Sequence, residues 1–215
     1  YINGKWVSPS KSNDLKVINP STEESFAVIS LGSTEDTNKA VQAAKKAFVK
    51  WKETSKEERI KLLEKLLNIY KKRFSEMAKA MSMEMGAPID FATSVHTASG
   101  QSHIEDFILR LKNFKFEENF NNKSNNYIGH EPIGVCGLIT PWNWPINQVA
   151  LKVIPALATG CTMILKPSEI APISAMLFAE MIDESGFPAG VFNLVNGDGA
   201  GVGTQISGHP DIDMV

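Results

Sequence analysis

Apolar residues recur along this chain with two periods, and the change between them divides it. From Thr34 onward, Ala40, Ala43, Ala44, Ala47, Phe48 and Trp51 fall on one face of a helix. Glu35 and Asp36 stand in its first turn, where acids suit the helix dipole. Ser55-Lys-Glu-Glu58 has the form of a capping box. The helix it opens is expected to run to Met85 and stop at Gly86, with Leu62, Leu63, Leu66, Leu67, Ile69, Tyr70 and Phe74 turned inward. A further helix is expected from Pro88 to about residue 114. Lys and Glu crowd the other faces of these helices, which reads as a solvated surface.

Beyond residue 132 short apolar runs take over. Residues 135–139 form one, bounded by glycine and proline, as in a strand buried on both faces. Ile146, Val149, Val153, Ile154 and Leu157 then recur at helical spacing, and Gly160 supplies a stop. Residues 161–165 form a second buried strand, with Lys166 and Glu169 just past its end. Pro172 opens a helix that buries Ala175, Leu177, Phe178, Met181 and Ile182 and closes at Gly186. Residues 191–195 make a third strand. Residues 197–203, rich in glycine, turn into a helix ending near Ser207, and Ile212 begins a fourth strand. This alternation predicts an α/β fold with a doubly wound parallel sheet and right-handed crossovers. Polar residues gather at the carboxyl ends of the strands, where such sheets bind ligands.

Two stretches stand outside this scheme. Asn3-Gly4 between apolar residues signals a hairpin, and residues 17–22 and 25–30 suggest further short strands. Residues 115–128 interleave Phe116, Phe120, Tyr127 and Ile128 with Asn, Lys and Glu, with a turn at residues 121–124. They read as a two-stranded antiparallel arm, either a surface hairpin or an edge that pairs with another subunit.

The 215 residues are 43% hydrophobic and 21% charged, as in a globular protein. A net charge of −2 offers no basic field for nucleic acid or an anionic membrane. No apolar run is long enough to span a bilayer. Cys136 and Cys161 each fall inside an expected buried strand. Nothing in the neighbouring sequence would lower their pKa, so they read as structural free thiols in a reducing, cytoplasmic setting. One glycosylation sequon, at residues 122–124, has little weight without a secretory signal. The chain opens on Tyr1 and closes within strand-like sequence, and reads as a piece of a longer polypeptide.

Candidate chemistry lies at the strand ends. Glu169 sits where a doubly wound dinucleotide site places an acid on the adenine ribose, roughly 20 residues past the first strand–helix turn, and Lys166 can donate to the same diol. A solvent-exposed Lys and Glu flanking a turn is the competing reading. Gly197, Gly199, Gly201 and Gly203 alternate and do not match the usual dinucleotide fingerprint, although they lead into a helix amino terminus that favours anions. Asn143, between Trp142 and Trp144, is either an amide aimed at a developing oxyanion or a cap on the following helix. His96, His103, His130 and His209 show no metal-ligand spacing, and no metal is expected.

These segments resemble the NAD(P)-dependent aldehyde dehydrogenase superfamily. The likeness rests on Thr140-Pro-Trp-Asn-Trp-Pro145, Lys166-Pro-Ser-Glu169, residues 193–203, Ile2-Asn-Gly-Lys-Trp-Val7, Asn19-Pro-Ser-Thr22 and His130-Glu-Pro-Ile-Gly-Val135, and runs through the whole chain in order. It implies a cysteine thiolate that attacks an aldehyde, hydride transfer to NAD, and a glutamate-activated water that releases the acid. That cysteine and glutamate would lie beyond Val215, so these residues alone are expected to be inactive. Asn143 matches the oxyanion-stabilising asparagine, and Lys152 a lysine assigned to a proton relay or, as readily, to a structural ion pair. The resemblance implies a cofactor site of Thr140, Pro141, Trp142, Asn143, Lys166, Pro167, Ser168, Glu169, Gly199 and Gly203. It divides the chain into residues 1–114 and 133–215 of an NAD-binding domain and an oligomerisation arm at 115–132, and implies a homodimer or homotetramer. A CoA-acylating enzyme and a non-catalytic NAD-binding protein are the alternatives; the aldehyde itself is not legible.

Overall fold

The computed structural model describes residues 1–121 and 125–215. The expected turn at residues 121–124 and the sequon fall on residues 122–124, outside those described. The core is a parallel sheet of β5 (Val135–Ile139), β6 (Thr162–Lys166) and β7 (Phe192–Leu194), in that order. The segment expected as a fourth strand adds one bridge, Met214 beside Cys136 on the outer edge of β5. The third strand is shorter than expected, and β6 is shifted by one residue, so Lys166 ends the strand and Cys161 precedes it.

Both faces of this sheet are covered, and the side chains alternate between them. Cys136, Leu138, Met163, Leu165, Phe192 and Leu194 face one core, shared with α6 (Pro145–Thr159) and α7 (Ile173–Ser185). Val135, Ile164 and Val195 face the other, against α1 (Thr34–Trp51) and α8 (Thr204–Gly208). Thr162 also lies against α1, where its hydroxyl donates to the Ala44 carbonyl at 3.0 Å. Gly137 belongs to this second face. A Cβ there would lie 2.4 Å from Ile206 Cγ2, so the bare backbone lets α8 reach the sheet. Ile146, Val149, Val153, Ile154 and Leu157 of α6 are all buried, each worth about 1.5–3 kcal/mol. Gly160 ends α6 at a φ of 88°, the left-handed stop its position suggested.

The remaining helices pack outside α6 and α7. The expected single helix to Met85 is two, α2 (Lys56–Lys72) and α3 (Phe74–Met85), broken at Arg73. At the break the Arg73 guanidinium meets Glu76 at 2.8 Å, Glu180 at 2.6 Å and Glu184 at 2.5 Å, tying the corner to α7. No periodicity in the sequence marks such a corner. The capping box at Ser55 and Glu58 forms as expected. The helix expected from Pro88 is α4 (Ile89–Phe91), a π-helical turn (Ala92–Thr97) and α5 (Ala98–Asn113).

Two small antiparallel pairs complete the fold. β1 (Asp14–Asn19) pairs with β2 (Glu24–Ser30). β3 (Glu117–Asn119) pairs with β4 (Tyr127–Gly129), giving the expected arm, with every strand residue exposed. At the amino terminus Asn3 and Gly4 adopt φ of 53° and 75° in a tight turn, but the hairpin amounts to one bridge, Ile2 with Lys5. Among the described residues no helix is long and apolar enough to cross a membrane.

Glu84 is the most deeply buried acid, 1% exposed. It reaches from α3 to the start of α7, accepting from the backbone N–H of Ile173 at 2.5 Å and of Ser174 at 3.2 Å. Burial pushes its pKa up to about 7 against the pull of these bonds. It caps a helix that has no side-chain cap of its own. Glu84→Ala in the complete protein should therefore cost about 1–3 kcal/mol, the price of buried N–H groups left unmet. Glu84→Gln, which keeps one acceptor, should cost less. Thermal unfolding of both variants checks this, and equal losses would refute the capping role.

Candidate cofactor site

The three segments singled out in the sequence meet at the carboxyl ends of β5, β6 and β7. The first is the loop from Thr140 to Trp144, leading from β5 into α6. Its buried start is fixed by the Thr140 N–H, which donates to the Lys166 carbonyl at 3.1 Å. Pro141, Trp142 and Asn143 then run exposed. Trp144 takes the helix-cap position at φ −156° and ψ 70°, and Pro145 supplies the first helical residue, where a missing N–H costs nothing. The cap reading of Asn143 is therefore overturned: the cap residue is Trp144, and no side chain closes the helix. Asn143 makes no side-chain hydrogen bond among the described residues.

The second segment follows β6. The Lys166 side chain is 4% exposed, a costly place for an ammonium unless its donors are met. They are: Nζ donates to the Gly197 carbonyl at 2.7 Å, the Pro167 carbonyl at 2.9 Å and Glu169 Oε2 at 3.3 Å. The reading of Lys166 as a solvent-exposed residue is thus overturned. Glu169 is its accessible partner, with a side chain 32% exposed. Pro167 and Ser168 are buried and shape the turn between them; the Ser168 hydroxyl accepts from the Ile170 N–H at 3.3 Å.

The third segment follows β7. Asp198, which sequence reasoning passed over, organises it by accepting from the Gly201 N–H at 2.5 Å through its side chain and from the Gly203 N–H at 3.0 Å through its carbonyl. An aspartate just ahead of a glycine-rich turn was the available signal. Gly197 is required by packing, since a Cβ would fall 2.3 Å from Val202. Gly199 is not, because nothing lies within 4 Å of where its Cβ would be. A Cβ on Gly203 would lie 3.8 Å from the Lys166 side chain, which joins this segment to the second.

Lys152 stands apart, seven residues past the start of α6 and so roughly 10 Å along it at about 1.5 Å per residue. Its ammonium donates to Gln148 at 3.3 Å, and no ion pair forms among the described residues. It lines a cavity of about 460 Å³ with Cys136, Leu138, Pro155, Cys161 and Met214. The expectation that nothing near the two cysteines would lower a thiol pKa is corrected here. The two thiols act on each other: Cys136, with help from Thr159 and the backbone of Gly134 and Ile133, pulls Cys161 down, while Cys161 and burial push Cys136 up. The contact joins residues 25 apart through strand pairing, which local sequence does not reveal.

The aldehyde dehydrogenase family pattern matches residues 6–215. A 3-succinoylsemialdehyde-pyridine dehydrogenase from a Pseudomonas species is 50% identical over 216 residues, covering 100% of this chain and 45% of that protein. An aldehyde dehydrogenase from Bartonella henselae superposes with a TM-score of 0.97 at 62% identity, over 99% of this chain and 45% of its own. A variant of aldehyde dehydrogenase C from Pseudomonas syringae, solved with NAD+ and octanal, superposes at 0.96 with 44% identity, over 100% of this chain and 44% of its own. The chain thus spans about 45% of the length of the curated relatives it matches. A sequence pattern that runs from residue 6 to residue 215 and a fold shared with solved members agree: the chain belongs to the aldehyde dehydrogenase family.

Proposed function

We propose that the complete protein oxidises an aldehyde to a carboxylic acid, with NAD as the hydride acceptor. The observation that carries this reading is the meeting of residues 140–143, 166–169 and 197–203 at the ends of three adjacent parallel strands, in a chain of this family. The residues present fit the cofactor. Lys166 would donate to the adenine ribose diol and Glu169 would accept from it, the acid being the exposed member of the pair. Open space beyond Gly199 leaves room for the pyrophosphate, with Gly203 behind it. Thr140, Pro141 and Trp142 would line the near side, while Pro167 and Ser168 hold the ribose-binding turn. When bound, NAD supplies the acceptor for hydride.

Asn143 is proposed as the oxyanion donor, supported by an exposed side-chain amide without a partner among the described residues, on a loop pinned at both ends. The thiolate and base implied by the family fall outside residues 1–215. Lys152 is proposed as a proton carrier, since no carboxylate among the described residues holds its ammonium. The arm at 115–132 is proposed to pair with other subunits in a homodimer or homotetramer, because its exposed two-stranded ribbon is marginal alone. Two free thiols suit a cytoplasmic location.

Glu169 should impose a preference for NAD, since a carboxylate repels a 2′-phosphate. In the complete enzyme kcat/KM should be higher with NAD than with NADP, and Glu169→Gln should narrow the ratio. Equal or better turnover with NADP would exclude this assignment. For the arm, light scattering at micromolar concentration should give at least a dimer; a monomer would count against the pairing. Asn143→Ala should lower kcat roughly a hundred- to a thousand-fold, as loss of a preorganised oxyanion donor does. NAD affinity and melting temperature should change little, and Asn143→Asp should be at least as harmful. A near-normal kcat in Asn143→Ala would remove the oxyanion role.

A further inference from the structure

Asn143 is held between two anchors. Behind it, Thr140 is bonded to β6. Ahead of it, Trp144 caps α6 without any side-chain hydrogen bond, so what fixes the indole must come from elsewhere. It comes from the π-helical turn between α4 and α5.

That turn inserts extra backbone into an otherwise regular helix, a feature that recurs at functional sites. Tyr70 of α2 steadies it by donating its hydroxyl to the Thr97 carbonyl at 2.9 Å. The turn presents His96 to the loop. The imidazole is 5% exposed and lies between Phe91, at 4.9 Å edge-on, and Trp144, at 5.3 Å. Burial lowers its pKa, which favours the neutral ring that packs against an indole. Two contacts continue the seam along α5. Gly100 allows close approach, since a Cβ would fall 2.4 Å from the Tyr70 hydroxyl and 2.9 Å from Ile146. His103 Nε2 meets Asn147 Oδ1 at 2.7 Å. Residues 96, 100 and 103 thus face residues 144, 146 and 147, closing α5 on the first turn of α6.

We infer that His96 is a positioning residue for Asn143, acting through Trp144: its ring sets the indole, and the indole sets the amide one residue before it. This rests on the oxyanion reading of Asn143. A donor is useful only where charge develops, and a displacement of about 1 Å can lower a rate on the order of a hundredfold.

A double-mutant cycle on the complete enzyme tests the coupling, with NAD affinity and melting temperature measured alongside. His96→Ala should lower kcat about tenfold with little change in NAD affinity, a misplacement effect smaller than loss of the donor. His96→Phe, which restores a ring, should recover kcat to within about threefold. In the Asn143→Ala background, His96→Ala should change kcat by less than about twofold, since the group it positions is gone. If His96→Ala does not fold, His96→Leu in the same two backgrounds decides, because it fills volume without an aromatic face. The inference is overturned by an equal loss in both backgrounds, by no loss in the single variant, or by failure of His96→Phe to recover. A near-normal kcat in Asn143→Ala removes the oxyanion reading and this inference together. A large loss there without coupling removes the inference alone.

Discussion

Everything in this chain follows from a parallel sheet that has no free face. Parallel strands cannot be joined by tight turns, so each connection must cross over, and the crossing helices cover the sheet. Once both faces are covered, every side chain within a strand must be apolar, small or internally bonded, as Thr162 and Gly137 are. Polar chemistry is then displaced to the strand ends. Three neighbouring strands that stop together bring three loops together, and this is how residues as far apart as Thr140 and Gly203 come to one end of the sheet.

Three charged residues, two of them buried, are part of the frame, placed where elements end. Lys166 closes the end of β6 against the turn after β7. Glu84 closes the start of α7 from a helix some 90 residues earlier in the chain. Arg73 holds three carboxylates where α2 gives way to α3, and they keep its guanidinium protonated well above the ordinary range. Lys166 and Glu84 each meet backbone groups that would otherwise lose water without compensation. The Lys166 bonds to the Gly197 and Pro167 carbonyls tie two loops together, and its bond to Glu169 is the longest of the three.

Much of this was legible from residue order. The strands, the helices around Ala44, Leu63, Val153 and Phe178, and the stops at Gly160 and Gly186 follow from period and from glycine's freedom at positive φ. What escaped depends on contacts distant in sequence. The corner at Arg73 is tied down by two acids on α7 as well as by Glu76, and no change of hydrophobic period near residue 73 announces it. The π-helical turn shifts the phase of the helix, so a regular helical period does not place His96. The two thiols meet only through strand register. The segments of the candidate site could be picked out because they lie in loops with unusual composition. Its supports were not, because Tyr70, Glu84 and Asp198 are ordinary residues whose work appears only when the chain is folded.

Gly137 shows how close a site can sit to its scaffold. The strand is bare at that position, and Ile206 occupies the space where a methyl would be. The helix bearing Ile206 follows directly from the glycine-rich turn. The height of the turn above the sheet is thus set by the thickness of one missing carbon. A site of this design cannot be raised or lowered by editing the loop alone; its altitude is written into the floor beneath it.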